Sequence, residues 1–374
     1  MNEERMSEGL TDEVVIRRMA ERDLDAVADI EARTFPQNQY LVYAPKLSEK
    51  AQIKAFFDFP GILLRLAPAK AVKFLWRSLG VKKQLMADQV DIYHGLSQEI
   101  PFGIQQLPMK TVVTIHDLIY LRYPAYYKPF DRFIYNLKSK YACKKSDRII
   151  AISERTRADI IEFYGISKER IEVVYQSCDP SFKIHYPLAD RESVREKYQL
   201  PAEFILNVGT IEPRKNLLLL IRAMKDTRSD VKLVVVGKPR AYARQVMKEI
   251  AILGLSDRVI FLENVPFQDL PKIYQLASLF AYPSFYEGFG IPIIEALYSA
   301  VPVIAATGSC LEEAGGPGSV YIAPDDAVAL AREANRVLDD PELRERMIAT
   351  GLDYVKKFDD ELLANQLMDC YTKL

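Results

Sequence analysis

Apolar and polar positions along this chain alternate in two halves of the same kind. From Phe204 onward the short apolar runs are Phe204–Val208, Val231–Val236, Val259–Leu262, Leu279–Tyr282, Val301–Ala305 and Val320–Ile322. Between them stretches of helical period lie at Lys215–Lys225, Ala241–Leu253, Asp269–Ala277 and Pro292–Ser299. Continuous apolar strands separated by amphipathic helices predict a parallel sheet covered on both faces, because a strand buried on both sides has no polar side to alternate with. The first half reads similarly. Its strands are placed at Tyr40–Tyr43, Asp91–His94, Thr111–Ile115, Arg148–Ile152 and Ile171–Val174, and its helices at Ala71–Leu85, Phe133–Lys144 and Arg155–Phe163. After Ala327 the pattern is helical only, at Ala327–Leu338, Pro341–Phe358 and Asp359–Tyr371. The fold class is therefore α/β in two domains, 1–186 and 187–358. The boundary stretch Gln176–Pro201 carries Pro180, Pro187 and Pro201 and little apolar periodicity, and the terminal helix 359–374 has no strand to cover and is expected to pack back on the first domain.

Composition narrows the class without naming it. The 374 residues, 49% hydrophobic and 27% charged, are those of a globular chain long enough for two cores. The longest apolar stretch, Phe56–Ala69, is broken by Asp58, Pro60 and Arg65, and Met1–Leu10 carries four charges and no apolar core. Cys143, Cys178, Cys310 and Cys370 lie far apart and form no CxxC pair, so a reduced, cytoplasmic setting is expected. The net charge of −1 is a cancellation: residues 1–35 carry −5, residues 36–186 carry +9, and residues 187–374 carry −5. That pattern argues against a nucleic-acid binder of uniformly basic surface and leaves room for one basic face. Lys70, Lys73, Arg77, Lys82 and Lys83 interleave with Phe74, Leu75, Trp76 and Leu79, and Lys138, Lys140, Lys144, Lys145 and Arg148 form a second cluster. Two readings stand for these segments, a solvated helix face over an ordinary core and peripheral contact with anionic lipid.

The strongest local signal is the run Glu287-Gly288-Phe289-Gly290-Ile291-Pro292-Ile293-Ile294-Glu295, between the strand ending near Tyr282 and a helix with Pro292 in its first turn. Gly288 and Gly290 allow backbone amides to approach a ligand, a helix start favours an anion, and carboxylates beside it suit sugar or ribose hydroxyls. Taken alone, the glycines read equally well as a turn into a helix with a solvated glutamate. A second candidate, Gly209 to Asn216, follows the strand Phe204–Val208 and places Arg214 and Lys215 at the edge where open α/β sheets bind ligands. An isolated Arg-Lys pair is an ordinary solvated surface; beside the Glu287 loop it becomes a phosphate clamp, Arg as a fork and Lys as a point charge. Gly237 and Lys238, after another strand, belong to the same edge.

In the first half, His116-Asp117 ends the strand Thr111–Ile115 and is the best polar candidate for a reacting centre, while His94 either lines a cleft or caps its sheet and His185 falls in the boundary stretch. No metal-ligand spacing, P-loop, G-x-S-x-G or G-x-G-x-x-G occurs, which removes the main support for P-loop hydrolysis, serine hydrolysis and hydride transfer.

With these motifs assembled, the chain resembles a family 4 glycosyltransferase of the GT-B fold, over roughly Tyr40 to Tyr371. The resemblance rests on Val113-Thr114-Ile115-His116-Asp117-Leu118, Ile150-Ala151-Ile152-Ser153, Gly209 to Asn216, Pro283-Ser284 to Glu295, and Gly308 to Glu313. It is similar in flavour to bacterial mannosyltransferase-type enzymes of surface polysaccharide synthesis. It implies two Rossmann-like domains facing across a cleft and a retaining transfer from a GDP- or UDP-linked sugar to a glycan or lipid-linked acceptor, with neither metal nor cofactor. By position it implies that Arg214 and Lys215 hold the donor diphosphate, Glu295 the ribose, and Glu287 with the amides of Phe289 and Gly290 the donor sugar. His116, with Asp117, would contact that sugar, and Val265 falls where the family binds the base.

The opening departs from the family. Such enzymes begin with a strand, a glycine-bearing loop and a helix, whereas here only Gly9 precedes Gly61. Residues Val14 to Glu31 instead resemble the opening strand and helix of GNAT-type acetyltransferases, but the Q/R-x-x-G-x-G/A loop that would bind acetyl-CoA is nowhere in the chain, which excludes that activity. The altered start leaves one alternative open, a non-catalytic nucleotide-sugar-binding relative with a disrupted acceptor site.

Overall fold

The computed structural model describes the backbone of residues 13–16 and, in full, residues 39–44, 62–68 and 76–374. Two units account for the chain, Met1–Gln176 with Asp360–Leu374, and Ser177–Asp359.

In the first unit, seven parallel strands run β1 (Glu13–Ile16), β2 (Gln39–Ala44), β3 (Ile62–Leu66), β4 (Ile92–Gly95), β5 (Lys110–Ile115), β6 (Arg148–Ala151) and β7 (Ile171–Val173). Their order in the sheet is β3-β2-β1-β4-β5-β6-β7. Successive side chains go to opposite faces, as the pleat requires. Leu41, Tyr43, Val113 and Ile149 enter one apolar cluster, and Tyr40, Val42, Val112 and Ile150 the other. That second cluster is completed by Leu367, Cys370 and Tyr371 of the terminal helix Asp360–Thr372, which thus covers one face of this sheet. Buried His94 joins them, its Nδ1 2.7 Å from the Tyr371 hydroxyl and its Nε2 2.7 Å from Thr114 Oγ1.

The second unit contains β8 (Phe204–Val208), β9 (Lys232–Val236), β10 (Val259–Leu262), β11 (Leu279–Tyr282), β12 (Val303–Ala306) and β13 (Val320–Ile322). All are parallel, in the order β10-β9-β8-β11-β12-β13. This is the doubly wound arrangement in which the chain steps outward from β8 in one direction, then returns to β8's other side with β11. Ile205, Leu233, Val235, Leu279, Ala281 and Ile304 line one face of the sheet and pack against Leu217, Leu220, Ile221, Val246 and Ile250 of two covering helices.

Several details differ from the sequence reading. The strand β3 was not read, because Leu63 and Leu66 are exposed on this sheet edge and leave no two-sided apolar run. The helix Leu188–Tyr198 occupies the presumed linker, where Val194 is its sole buried residue and no periodicity can show. The second unit begins at Ser177 rather than at 187: Phe182 is fully buried, 5.3 Å from the Tyr274 ring and 6.0 Å from that of Phe267. Of the segment likened to acetyltransferases, Val14–Ile16 belong to β1, an interior strand; the rest lies outside the described residues, as do Lys70, Lys73, Phe74 and Leu75.

Candidate active site

Strand order reverses between β8 and β11, and the loops that leave their C-terminal ends are the two that the sequence singled out. A crevice forms at such a point because the chains leaving the two strands go to opposite faces. Gly209, directly after β8, has φ +151°, and a Cβ on Gly237, which follows β9, would stand 1.9 Å from the Gly209 carbonyl oxygen. Only glycine allows these two loops to approach so closely. Beyond it Pro213–Lys215 form a 3-10 turn ended by Asn216 in the left-handed region, φ +57°. The Asn216 side chain donates to the carbonyls of Pro283, at 3.0 Å, and Pro324, at 2.7 Å, while the Phe285 amide donates to the Arg214 carbonyl at 2.9 Å. These bonds sew the two loops together.

What they hold is a buried charge cluster. Arg214 donates through Nη1 to Glu287 Oε2 at 2.5 Å and to the Tyr286 carbonyl at 2.7 Å, and through Nη2 to Glu212 Oε1 at 2.8 Å. Lys215 Nζ donates to Glu287 Oε1 at 2.7 Å and to the Tyr282 hydroxyl at 2.6 Å, and that hydroxyl donates in turn to Glu287 at 3.2 Å. Burial alone would raise the Glu287 carboxyl, but Lys215 and Arg214 outweigh it and hold the group at about 2. Burial likewise works against the charge on both cations, and Glu287 more than restores it, raising each above its ordinary value. Burial, with Glu287 beside it, pushes the Tyr282 hydroxyl up to about 12. The Arg214–Lys215 clamp is therefore closed on the Glu287 carboxylate, fully charged and fixed in place.

The glycine loop is restrained from beneath. Gly290 has φ +142°, and a Cβ there would lie 3.1 Å from Ala314 Cβ and 3.2 Å from Leu311 Cδ2. Buried Cys310 places its Sγ 2.7 Å from the Phe289 carbonyl and 3.0 Å from that of Glu287. Phe289 itself is buried, edge-on to Phe358 at 5.3 Å, whereas Gly288 is half-buried. In the helix Ile291–Tyr298, half-buried Glu295 accepts a bond of 2.8 Å from the Tyr274 hydroxyl. Lys238 is exposed and Val265 half-buried, in the loops after β9 and β10 on the same sheet edge.

His116 and Asp117 belong to the first unit. The His116 ring donates through Nε2 to the Leu96 carbonyl at 2.7 Å, and Asp117 Oδ1 accepts from the Ile119 amide at 3.1 Å. His94 is neutral and structural: burial, with a smaller contribution from His116, lowers its pKa to about 3. Among the described residues no group of three or more His, Cys, Asp or Glu side chains is arranged to hold a metal ion, and no helix is long and apolar enough to cross a membrane.

Comparison with known proteins decides what the switch-point site belongs to. Residues 190–353 match the glycosyl transferases group 1, and residues 32–182 match Glycosyltransferase Family 4. The chain is 30% identical to O-antigen chain mannosyltransferase B of Escherichia coli, over 97% of its own length and 94% of that protein's. It is a family 4 glycosyltransferase. A second relative, O-antigen chain mannosyltransferase RfbU of Salmonella typhimurium, is 31% identical over 57% of each chain. The structure of HepE from Anabaena in complex with UDP superimposes with a TM-score of 0.77 at 18% identity, covering 97% of this chain and 100% of that one. The fold is GT-B.

In this glycosyltransferase two tyrosines enter the site that the motif reading passed over. Tyr282 had a signal, since it ends β11 directly before the Pro283 loop and its side chain meets Lys215 there. Tyr274 had none. It sits in the short helix Leu270–Leu276, and only the fold brings its hydroxyl to Glu295; burial, with Glu295 beside it, raises that hydroxyl well above its ordinary range.

Proposed function

We propose that this glycosyltransferase transfers a sugar, mannose first among candidates, from a GDP- or UDP-linked donor to an acceptor hydroxyl with retention of configuration. The observation that carries this reading is the charged cluster of Arg214, Lys215 and Glu287 at the β8/β11 switch point. Departure of a nucleoside diphosphate needs preorganised positive charge more than a strong base. Arg214 and Lys215 take the diphosphate oxygens, exchanging part of their contact with Glu287 for it. Glu287 then accepts from donor-sugar hydroxyls, and Glu295 from the ribose. Gly209, Gly237, Gly288 and Gly290 let backbone approach the phosphates, Phe289 and Gly290 supply amides, and Lys238 and Val265 lie toward the base. His116, with Asp117 beside it, contacts the sugar. In the transfer the bond from C1 to the phosphate oxygen breaks, the acceptor oxygen bonds to C1 on the same face, and its proton passes to the departing phosphate. The pair of cations supplies the charge that a metal would otherwise bring, so no metal or other cofactor is invoked.

The relatives' names place them in O-antigen synthesis, which supports a glycan or lipid-linked acceptor for this chain and work at the cytoplasmic face of a membrane, with no nucleic-acid partner. The test is turnover of a panel of nucleotide sugars with lipid-linked and free glycan acceptors. One donor consumed in step with a new glycosidic bond of the donor's anomeric configuration is expected. Nucleoside diphosphate binding with neither transfer nor donor hydrolysis across the panel would instead favour a non-catalytic relative.

A further inference from the structure

The helix Pro129–Lys145 in the first unit turns Ser139, Ala142 and Cys143 to the core. On its outer side lies a line that a buried helix would not keep. Phe130, Phe133 and Leu137 are 73%, 63% and 49% exposed, and the same line continues through exposed Lys140 and Lys144. The spacings of three, four, three and four residues put all five on one stripe. Large apolar side chains at such exposure, aligned rather than scattered, mark a contact surface. The sequence reading began this helix at Phe133; its true start at Pro129 adds Phe130 to the stripe.

Charge identifies the partner. The helix holds Arg132, Lys138, Lys140, Lys144 and Lys145 against a single acidic residue, Asp131, and Lys138 is spent on Glu99 at 2.7 Å. Pairing two copies on this stripe does not suit it: parallel helices set lysine against lysine, and antiparallel ones still bring together two helices that each carry five basic residues and one acidic. An anionic bilayer satisfies both halves, with aromatic rings entering the acyl boundary and ammonium groups among the phosphates.

We propose that the Phe130–Phe133–Leu137 stripe, extended by Lys140 and Lys144, docks this enzyme on an anionic lipid surface. The proposal adds a defined face to the functional reading above, and rests on that reading only in taking the acceptor to be membrane-borne. Docking then restricts the search for acceptor to two dimensions.

Co-sedimentation of the full chain with phosphatidylcholine vesicles, with and without phosphatidylglycerol, tests it. The wild-type chain is expected to bind the phosphatidylglycerol vesicles, less so as salt rises. The double variant Phe130→Ser/Phe133→Ser should bind about tenfold or more weakly, since each ring loses its apolar burial. Lys140→Gln/Lys144→Gln should lose about fivefold per charge removed. Both variants should keep the wild-type thermal midpoint and the thermal shift with UDP or GDP. Failure of the wild-type chain to bind, or undiminished binding by the phenylalanine variant, overturns the proposal. So does a wild-type dimer that the phenylalanine variant dissociates, which would assign the stripe to self-association. Absence of any nucleotide shift in the wild type would count against the functional reading while leaving the vesicle result to stand on its own.

Discussion

Lys215 and Glu287 form an ion pair of 2.7 Å with side chains 17% and 10% exposed, and Arg214 closes on the carboxylate's other oxygen at 2.5 Å. A buried carboxylate between two buried cations makes each member dependent on the others. Replacing Glu287 by Ala leaves two like charges facing each other, at a cost of about 3–5 kcal/mol. The loss should appear as a lowered urea midpoint, and Lys215→Met in the Glu287→Ala background should recover part of it. The acid limb of stability carries the same signature. With a folded value of about 2 against an ordinary 4.5, Glu287 stabilises the protein fully above pH 4.5, and that contribution drains away as pH falls toward 2.

His94 acts in a different window. It stays neutral in the fold down to about pH 3, whereas an unfolded histidine takes its proton near pH 6.5. The unfolded chain therefore binds the extra proton between those values, and stability rises with pH across them, by up to about 1.4 kcal/mol per unit from this residue. His94→Asn should flatten that slope between about pH 5 and 6.5, above the range of Glu287, as read by urea unfolding at a series of pH values. A slope unchanged by the substitution would show that His94 is not the group responsible.

Gly237 tests the loop geometry without touching a charge. Its Cβ in a Gly237→Ala variant would meet the Gly209 carbonyl oxygen at 1.9 Å, so one loop must move and Arg214 and Lys215 move with it. Loss of nucleoside diphosphate binding is expected, together with destabilisation. Gly254→Ala is the control, with φ +67° but nothing within 4 Å. It should cost about 1 kcal/mol of backbone strain and leave binding intact.

Glu295 and Tyr274 make a prediction about selectivity. Glu295 accepts a bond of 2.8 Å from the Tyr274 hydroxyl, and the two oxygens of a carboxylate together offer about four acceptor sites, the capacity that a ribose diol needs. Glu295→Ala should weaken ribonucleoside diphosphate binding about tenfold or more while changing affinity for the 2′-deoxy analogue little. Tyr274→Phe should cost about 1 kcal/mol of stability and shift the same preference in the same direction. Competition binding with the two nucleotides reads both.

How much of this was legible in the sequence depended on burial. The inner strands β8 and β11 are buried almost throughout and the edge strands β10 and β13 are at least half-buried, so all four appear in the sequence as the same apolar runs that the fold contains. The edge strand β3 and the helix Leu188–Tyr198 bury too little to leave a pattern. In the site, Arg214, Lys215, Glu287 and the glycines were readable because they are local to two loops. Their closure on one another was not, since Lys215 and Glu287 are 72 residues apart and meet only because β8 and β11 are neighbours. Tyr274 acts on the site solely through the fold, and no motif could have named it; Cys310 falls within the Gly308 to Glu313 motif, but its contact with the glycine loop is made only by the fold.

Calorimetric titration of UDP and GDP into the wild-type chain and Arg214→Ala tests most directly whether this cluster is the donor diphosphate's site. The wild type should bind at least one of the two, and Arg214→Ala, if still folded by circular dichroism, should bind it about thirtyfold or more weakly, the loss of a buried charged contact. A wild-type chain that binds neither nucleotide, or an Arg214→Ala chain that binds as the wild type does, would contradict the assignment.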